Sequence, residues 1–162
     1  MKIGIIITFC DNENDINRKL FSSLLSLYHA MPLCFVNNGS KDNTLEVLKL
    51  LKEKHQSKVS IIDIKRNKGT ESAIKAGARY LFNTEDLKHI GYIDMNSFNS
   101  KDFNKFIYAI EFNKDLIIQY NNLNISNNNK QGKLLRNIFS IVDYLKTLNV
   151  DFDYTDLDIK VS

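Results

Sequence analysis

The feature that most limits the fold of this chain is a series of short apolar runs, the first of which is uninterrupted. Lys2–Thr8 is dominated by isoleucine. A strand buried on both faces has this continuous pattern, whereas a strand with one solvated face alternates apolar and polar residues. Similar short runs follow along the chain: Leu33–Asn37, Val59–Asp63, Ile90–Ile93 and Asp115–Gln119. The sequence therefore predicts several strands buried within a parallel sheet.

Segments with helical spacing separate these runs. One segment has apolar or small residues at i, i+3, i+4, i+7 and i+8, which form one face of a helix: Ala73, Ala76, Gly77, Tyr80 and Leu81. The same pattern recurs at Phe103, Phe106, Ile107 and Ile110, and a leucine-rich stripe over 45–51 follows Asp42, a favourable N-cap residue. Strands that alternate with helices predict an α/β fold, here a three-layer sandwich with a mostly parallel sheet between helices.

Length and composition narrow the class of protein. A chain of 162 residues suits one domain, and its 22 basic and 19 acidic side chains give a net charge of only +3. This charge allows contact with phosphates or an anionic membrane without requiring either, and it gives no reason to expect a nucleic-acid partner. Two cysteines, Cys10 and Cys34, cannot form a disulfide framework, and no apolar run approaches the ~18–20 residues of a membrane span. We therefore expect a single cytoplasmic domain.

The last third of the chain has a different character. Residues 121–132 are polar and rich in asparagine, which predicts a mobile loop. An apolar stripe then predicts a C-terminal helix, formed by Leu134, Leu135, Ile138, Ile141, Val142, Leu145 and Leu148. An acidic segment, residues 151–158, follows this helix. We expect one domain over residues 1–162, in which residues 1–112 bind the ligand and residues 113–162 form a smaller part.

The most informative polar residues directly follow the predicted strands. Ligands of open parallel sheets bind beyond the carboxyl ends of the strands, where the strand order reverses. Four polar segments occupy these positions: residues 8–13, 37–42, 65–69 and 94–97. The glycine-rich phosphate loops of the two common nucleotide-binding motifs are absent from the sequence, as are paired His/Cys spacing for zinc and a Gly-x-Ser-x-Gly elbow. The three histidines, His29, His55 and His89, stand alone in or beside helices and are interpreted as surface or packing residues.

These segments together resemble family 2 glycosyltransferases. The apolar run Ile5–Phe9, followed by Asp11 and Glu13, is similar to their first strand and its Pro-Thr-Tyr-Asn-Glu loop. Residues 34–44 are similar to their Val-Asp-Asp-Gly-Ser-x-Asp-Asn-Thr signature. Asn67 and Gly69, with small residues at 73 and 77, keep the spacing of a third signature, and residues 92–96 occupy the place of the metal-binding Asp-x-Asp. Four ordered matches over residues 2–112 imply the GT-A fold of these enzymes.

The resemblance implies a nucleotide-sugar donor and a divalent ion, Mg²⁺ or Mn²⁺. It places Thr8, Asn37, Asn38, Lys68 and Asp94 at the nucleotide and its diphosphate. The metal ligands would be Asp94 together with the residue two positions later, which the family has as aspartate and this chain has as Asn96. The family's acidic base-reading pair is likewise replaced by the two asparagines at 37 and 38. Because a charged acceptor makes a hydrogen bond about twice as strong as a neutral one, these amides imply weak metal and nucleotide binding.

The later part of the chain resembles the polyprenyl-phosphate subgroup, which includes dolichol-phosphate-mannose synthases and bacterial bactoprenol glucosyltransferases. A basic cluster, Lys130, Lys133 and Arg136, precedes an amphipathic helix, and Asp156 matches a late carboxylate of the subgroup that would serve as the catalytic base. The subgroup's arginine in the last strand is replaced by Asp158, and its Gly-x-Arg by residues 119–121. The basic cluster equally fits solvated surface charges, and Asp156 equally fits an acidic surface segment.

Two functions of different class remain open from the sequence. The first is an inverting transferase that moves a hexose from a UDP- or GDP-sugar to a lipid phosphate or a glycan in cell-surface polysaccharide or glycolipid synthesis. The second is a catalytically degenerate domain that keeps the sheet and acts on a partner transferase. Either protein would be cytoplasmic or peripheral at the inner face of the membrane, and the C-terminal helix could mediate a homo-oligomer.

Overall fold

A computed structural model describes residues 3–16, 21, 25, 31–54, 59–97, 109–110, 112–127 and 137–147 of the chain. Its five strands are β1 (Ile3–Phe9), β2 (Leu33–Asn38), β3 (Val59–Ile64), β4 (His89–Asp94) and β5 (Ile138–Ser140). They form one sheet in the order β3-β2-β1-β4-β5, and every neighbouring pair is parallel. The order reverses between β1 and β4, which is the position where open parallel sheets bind ligands.

Helices cover both faces of this sheet. Those described over their whole length are α1 (Thr44–Lys54), α2 (Thr70–Thr84), α3 (Lys114–Asn127) and α4 (Ile141–Thr147), and a 3-10 turn (Met95–Ser97) follows β4. Val47 of α1, Ile117 of α3 and Leu145 of α4 belong to the apolar cluster on one face, while α2 supplies Ala73 and Leu81 to the cluster on the other. The predicted α/β sandwich is confirmed. Among the described residues, no helix combines the length and apolar content that a membrane span needs.

Two predictions in the last third of the chain are wrong. Residues 115–119, predicted as a strand, lie in α3, and residues 121–127, predicted as a mobile loop, continue the same helix. Ile117, Ile118 and Asn121 are buried in this helix, whereas Leu116 is half exposed, which is a helical pattern and not a strand pattern. The asparagine-rich half has poor helix propensity, so its helical state depends on tertiary contacts. The prediction for residues 128–132 lies outside the described residues.

The fifth strand occurs where the sequence predicted part of the C-terminal helix. Ile138–Ser140 pairs with β4 through Phe139, which lies opposite Gly91. The helix itself begins at Ile141, so the predicted helical stripe is correct only for Ile141, Val142 and Leu145. A short apolar run does not distinguish a buried strand from a buried helix. Here the backbone groups at the edge of β4 provide hydrogen-bond partners, which favour the strand. The remaining stripe positions lie outside the described residues, as does most of the helix predicted near residue 106.

His89 is the first residue of β4, it packs beside α3, and it is only 2% exposed. The Tyr144 hydroxyl donates a hydrogen bond to the amide oxygen of Asn121 at 2.8 Å. The amide nitrogen of Asn121 is therefore the group that faces His89, and it donates to Nδ1 of the ring, also at 2.8 Å. The proton of the neutral ring then resides on Nε2, which is buried without a hydrogen-bond partner among the described residues. Burial and the positive charge of Lys88 lower the pKa of His89. The structure thus holds this ring in its neutral form.

Mild acid is therefore expected to destabilise the fold. Protonation of Nδ1 would place an N–H opposite the N–H of the Asn121 amide, and two donors cannot bond to each other. The pKa of His89 in the folded state lies below 6.5, so as the pH falls the unfolded chain takes up a proton at His89 before the folded chain does. The contribution of neutral His89 to the free energy of unfolding is complete above pH 6.5. It falls as the pH drops towards the folded-state pKa, by up to about 1.4 kcal/mol per pH unit. Urea unfolding between pH 7.5 and 5 measures this slope. His89→Gln should flatten it, and an equal slope in both proteins would contradict the assignment.

Candidate functional site

The site is centred on Asp94, at the carboxyl end of β4. Register places Asp94 beside Thr8 across the point where the strand order reverses. The Thr8 hydroxyl donates to one oxygen of the Asp94 carboxylate at 3.1 Å, and the hydroxyl of Thr70, the first residue of α2, donates to the other at 3.2 Å. The backbone N–H of Asn96 also approaches the first oxygen, at 3.3 Å. Neutral donors therefore hold Asp94 in place, and none of them neutralises its charge.

Asn96 links the loop after β1 to the end of β4. The Cys10 N–H donates to the amide oxygen of Asn12 at 2.7 Å, which makes the amide nitrogen of Asn12 the group that faces Asn96, at 2.8 Å from its oxygen. The amide nitrogen of Asn96 then donates to the Cys10 carbonyl oxygen at 3.2 Å. Each amide in this chain of hydrogen bonds has one permitted orientation. An aspartate at position 96 could not make the last bond, because a carboxylate only accepts.

Carboxylates also tie the loops after β1 and β2 together. Asp11 accepts from the Lys41 N–H at 2.6 Å, Glu13 accepts from the Asn43 N–H at 2.6 Å, and Asp42 accepts from the Glu13 N–H at 3.0 Å. Asp42 also accepts from the first N–H of α1, that of Thr44, at 2.9 Å, so it holds the start of that helix. Burial raises the pKa of Asp42, but hydrogen bonds from Thr44 and from the Glu13 backbone outweigh it, and the net pKa is lowered.

Asn38 and Asn67 join the loops after β2 and β3. The Asn38 amide nitrogen donates to the Asn67 oxygen at 3.2 Å, and the Asn38 oxygen accepts from the Lys68 N–H at 3.3 Å. The Asn67 nitrogen reaches the Cys10 sulfur at 3.2 Å. This bond connects the asparagines to the loop after β1 and so to Asn96. A hydrogen-bonded layer therefore runs along the carboxyl edge of β2, β1 and β4.

Asn37 lies on the opposite face of the sheet from Thr8. It is level with Phe9, and successive residues of a strand point to opposite faces. Its amide nitrogen donates to the Asp63 carboxylate at 2.9 Å, and its amide oxygen is buried without a partner in the described part of the chain. Hydrogen bonds from Lys65 and from Asn37 lower the pKa of Asp63, so this carboxylate is ionised at neutral pH.

This arrangement at the carboxyl edge can be compared with known proteins. The family profile described as "Glycosyl transferase family 2" matches residues 5–159, nearly the whole chain. This chain is a member of glycosyltransferase family 2. Its five-stranded parallel sheet agrees with the GT-A fold of that family.

Curated relatives of this family 2 domain include bacterial polysaccharide synthases. It is 34% identical over 71 residues to a poly-beta-1,6-N-acetyl-D-glucosamine synthase of Staphylococcus epidermidis, a match that covers 43% of this chain and 17% of the relative. It is 32% identical over 77 residues to the protein of the same name from Staphylococcus aureus strain MSSA476, with coverage of 45% and 18%. The chain thus matches less than a fifth of the length of these relatives.

The structure brings together most of the residues that the sequence pointed to. Thr8, Asn38, Asp94 and Asn96 lie in one hydrogen-bonded layer, and Lys68 joins it through its backbone while its side chain is exposed. Asn37 borders the same edge from the other face. The predicted base Asp156 and the basic cluster at 130–136 lie outside the described residues.

Three residues that shape the site were not site candidates from the sequence: Asn12, Asp63 and Thr70. Two of them had a local signal. Asn12 lies in a polar segment directly after a strand, and Asp63 is a charged residue at the end of an apolar run. Thr70 had none, because its role depends on the position of α2 over the end of β4. Cys34 is a buried free thiol, and burial raises its pKa to about 12.

The donor set fits a divalent ion that the substrate would help to bind. Within the described residues no three His, Cys, Asp or Glu side chains converge as a metal cage. Mg²⁺, however, is commonly held by one or two carboxylates together with substrate phosphates. Asp94 offers such a carboxylate, whose oxygens accept hydrogen bonds from the neutral hydroxyls of Thr8 and Thr70. The Asn96 oxygen accepts one hydrogen bond from Asn12, and an amide oxygen has two lone pairs, so it could still ligate a metal through the second.

Proposed function

We propose that this domain transfers a hexose, with inversion, from a UDP- or GDP-sugar to an acceptor in cell-surface polysaccharide or glycolipid synthesis. The observation that carries the proposal is the position of the Asp94 side chain at the strand-order reversal, where hydrogen bonds from Thr8 and Thr70 hold it. Family membership supports the reaction class, and the similarity to polysaccharide synthases supports the kind of product. The finer assignment, transfer to a polyprenyl phosphate, rests on the resemblance of residues 115–157 alone.

The positive charge around the carboxyl edge of the sheet is suited to binding a diphosphate. Four exposed basic residues lie in the loops after β2 and β3: Lys41, Lys65, Arg66 and Lys68. The leaving nucleoside diphosphate gains negative charge as the glycosidic bond breaks, and nearby cations stabilise that charge. A bound Mg²⁺ or Mn²⁺ would supply further charge stabilisation at the same diphosphate. Asp94 is the residue of this domain that we assign to hold the ion, while Thr8 and Asn38 line the nucleotide side.

Inversion requires one in-line attack by the acceptor on the anomeric carbon. An acceptor hydroxyl must lose its proton to a base, and Asp156 is the residue that we assign to this step. A lipid-phosphate acceptor is already an anion and needs no base. We infer that the domain works at the cytoplasmic face of the membrane, where a lipid acceptor or a partner transferase would meet it, and that a homo-oligomer would form through the C-terminal helix.

A degenerate, non-catalytic domain is the second candidate. The observation that favours it is the replacement of three family carboxylates by Asn37, Asn38 and Asn96. The opposing observation is that each of these amides donates a hydrogen bond that a carboxylate could not make. The three amides are therefore part of the hydrogen-bond network of the site. This favours a functional site over one that has merely lost its carboxylates.

Nucleotide-dependent stabilisation separates the two candidates. We expect UDP or GDP, or the corresponding sugar nucleotides, to raise the midpoint of thermal unfolding, and Mn²⁺ to increase the shift. A ligand at a hundred times its Kd stabilises a protein by about 2.7 kcal/mol. ADP and inorganic pyrophosphate are the controls for a general anion effect. No response to millimolar nucleotide, together with a response gained by Asn96→Asp, would instead indicate a degenerate site.

A further inference from the structure

The ends of β4 and β5 carry polar groups that lie outside the nucleotide side of the site. Tyr92 of β4 is level with Ser140, the last residue of β5, and both side chains point to the sheet face that Asp94 occupies. Both residues are half-buried, whereas Ile6 on the same face of β1 is fully buried. The helix α2 therefore leaves the ends of β4 and β5 partly open to a ligand.

Asp143 reaches the same place from the first turn of α4. Its backbone N–H donates to the Ser140 hydroxyl at 3.2 Å, so Ser140 caps this helix and fixes its start beside the end of β4. Asp143 is exposed, and within the described residues its carboxylate takes part in no ion pair. This carboxylate is therefore available to a ligand that donates hydrogen bonds.

The charges near the Tyr92 hydroxyl are negative. Burial raises the pKa of Tyr92, and a hydrogen bond with the Ser140 hydroxyl lowers it. The negative charges of Asp143 and, less strongly, of Asp94 raise this pKa further, and no cation of the described residues acts on the hydroxyl. The exposed basic residues of the loops after β2 and β3 lie instead on the nucleotide side. Tyr92 therefore keeps its proton at neutral pH and lies close to two carboxylates.

The direction of attack brings the acceptor to this place. With the nucleotide over β1 and β2 and its diphosphate at Asp94, the transferred sugar lies beyond Asp94, and an in-line acceptor enters opposite the leaving diphosphate, over β4 and β5. A sugar hydroxyl can donate a charge-assisted hydrogen bond to the Asp143 carboxylate. A phosphate acceptor is itself an anion, and like charges at short distance repel. The groups present here therefore favour a neutral acceptor.

We propose that Tyr92, Ser140 and Asp143 bind a neutral sugar residue of a glycan as the acceptor, and that Asp143 selects it against a lipid phosphate. This inference deepens the proposed function and depends on it, since it assumes that a sugar nucleotide binds at Asp94. The similarity to polysaccharide synthases agrees with a glycan acceptor. The resemblance of residues 115–157 to the polyprenyl-phosphate subgroup favours the lipid phosphate, which is the alternative that the test must separate.

The test measures acceptor binding by NMR titration of the chain saturated with UDP or GDP and Mn²⁺. The neutral probes are a β-1,6-linked disaccharide of N-acetylglucosamine and one of glucose. The anionic probe is farnesyl phosphate, with farnesol to show the part due to the lipid chain. We expect at least one disaccharide to bind the natural chain and Asp143→Asn to weaken it by about fivefold to tenfold. The same change should leave the affinity for farnesyl phosphate equal or higher, because it removes a repelling charge.

Two variants separate binding from a merely structural role of Asp143 at the start of α4. Asp143→Glu keeps the charge and suits the third position of a helix capped by serine, but it moves the carboxylate by one methylene. It should fold normally and still weaken the disaccharide by about threefold or more, and it carries the test if Asp143→Asn does not fold. Asp115→Asn, which removes an exposed carboxylate from the first turn of α3, is the matched control and should change nothing.

The outcomes distinguish this inference from the proposed function. A chain that binds nucleotide but neither disaccharide, or that binds a disaccharide equally in both Asp143 variants, would overturn this inference alone. Release of nucleoside diphosphate from a sugar nucleotide that is stimulated by farnesyl phosphate and not by either disaccharide would also overturn it, since the acceptor would then be the lipid phosphate. Failure of the natural chain to bind UDP, GDP or their sugar nucleotides would overturn the proposed function as well.

Discussion

Gly39→Ala is expected to lower the free energy of unfolding by about 2–5 kcal/mol, a large part of the ~5–15 kcal/mol of a typical domain. Gly39 has φ +71°, a left-handed conformation that costs a residue with a Cβ about 1–2 kcal/mol. An added Cβ would lie 2.2 Å from the Asn67 backbone nitrogen and 2.5 Å from the Arg66 carbonyl carbon. Backbone atoms cannot move aside as a flexible side chain can. The loops after β2 and β3 would therefore separate.

Gly69→Ala is the matched control for this prediction. Gly69 also has a positive φ, +82°, but a Cβ there would meet nothing within 4 Å. Its replacement should therefore show the cost of backbone strain without the steric clash, about 1–3 kcal/mol. Urea unfolding followed by circular dichroism measures both variants. Equal losses in the two proteins would show that the close approach of the loops at Gly39 does not limit stability.

Asp94→Asn is expected to remove metal-dependent nucleotide binding and to reduce transfer by about 10²–10³-fold, the range typical for loss of one electrostatic contact to the reacting groups. The change preserves size and removes the charge. Threonine hydroxyls donate or accept, so Thr8 and Thr70 can still bond to an amide at this position. The fold should therefore remain, with stability changed by about 1 kcal/mol or less.

The control for Asp94→Asn is Asp86→Asn, which removes an exposed carboxylate from the turn before β4. It should leave nucleotide binding, its metal dependence and transfer unchanged. Thermal shift with UDP and GDP, with and without Mn²⁺, is measured on both variants, and transfer is followed by release of the nucleoside diphosphate. An Asp94→Asn protein that still shows a metal-dependent shift would mean that the ion binds elsewhere.

The amides of the site can be understood from their hydrogen bonds. Asn37 donates to Asp63, Asn38 to Asn67, and Asn96 to the Cys10 carbonyl oxygen. A carboxylate at 37 would face that of Asp63, and one at 96 would face a carbonyl oxygen. From the sequence alone these asparagines resemble family carboxylates that were lost. In the structure they are the residue type that their neighbours require.

Local sequence determined most of the sheet. Four of the five strands were predicted within one or two residues, because a continuous apolar run of four to eight residues fits a strand buried on both faces. The strand–helix alternation predicted the layers, and polar residues after strands predicted the edge that carries the site. The family signatures point to the same edge, since the carboxyl ends of parallel strands meet there.

Tertiary contacts decided the rest of the fold. Residues 114–127 are helical although their asparagine-rich half has poor helix propensity, because Asn121 and Asn124 bond to His89 and Tyr144. Residues 138–140 form a strand because the edge of β4 provides backbone partners that no local pattern specifies. In both segments the free energy depends on groups distant in sequence, and propensity is overridden.

The sequence by itself determined the fold class, the buried strands and the family of this protein, because these follow from periodicity and from ordered short motifs. Only the tertiary structure decided the chemistry of the site. It placed Thr70 on Asp94 and Asp63 on Asn37, and it fixed which end of each amide donates. Donor and acceptor roles depend on what each side chain faces, and for these residues the facing group lies 24 and 26 positions away along the chain.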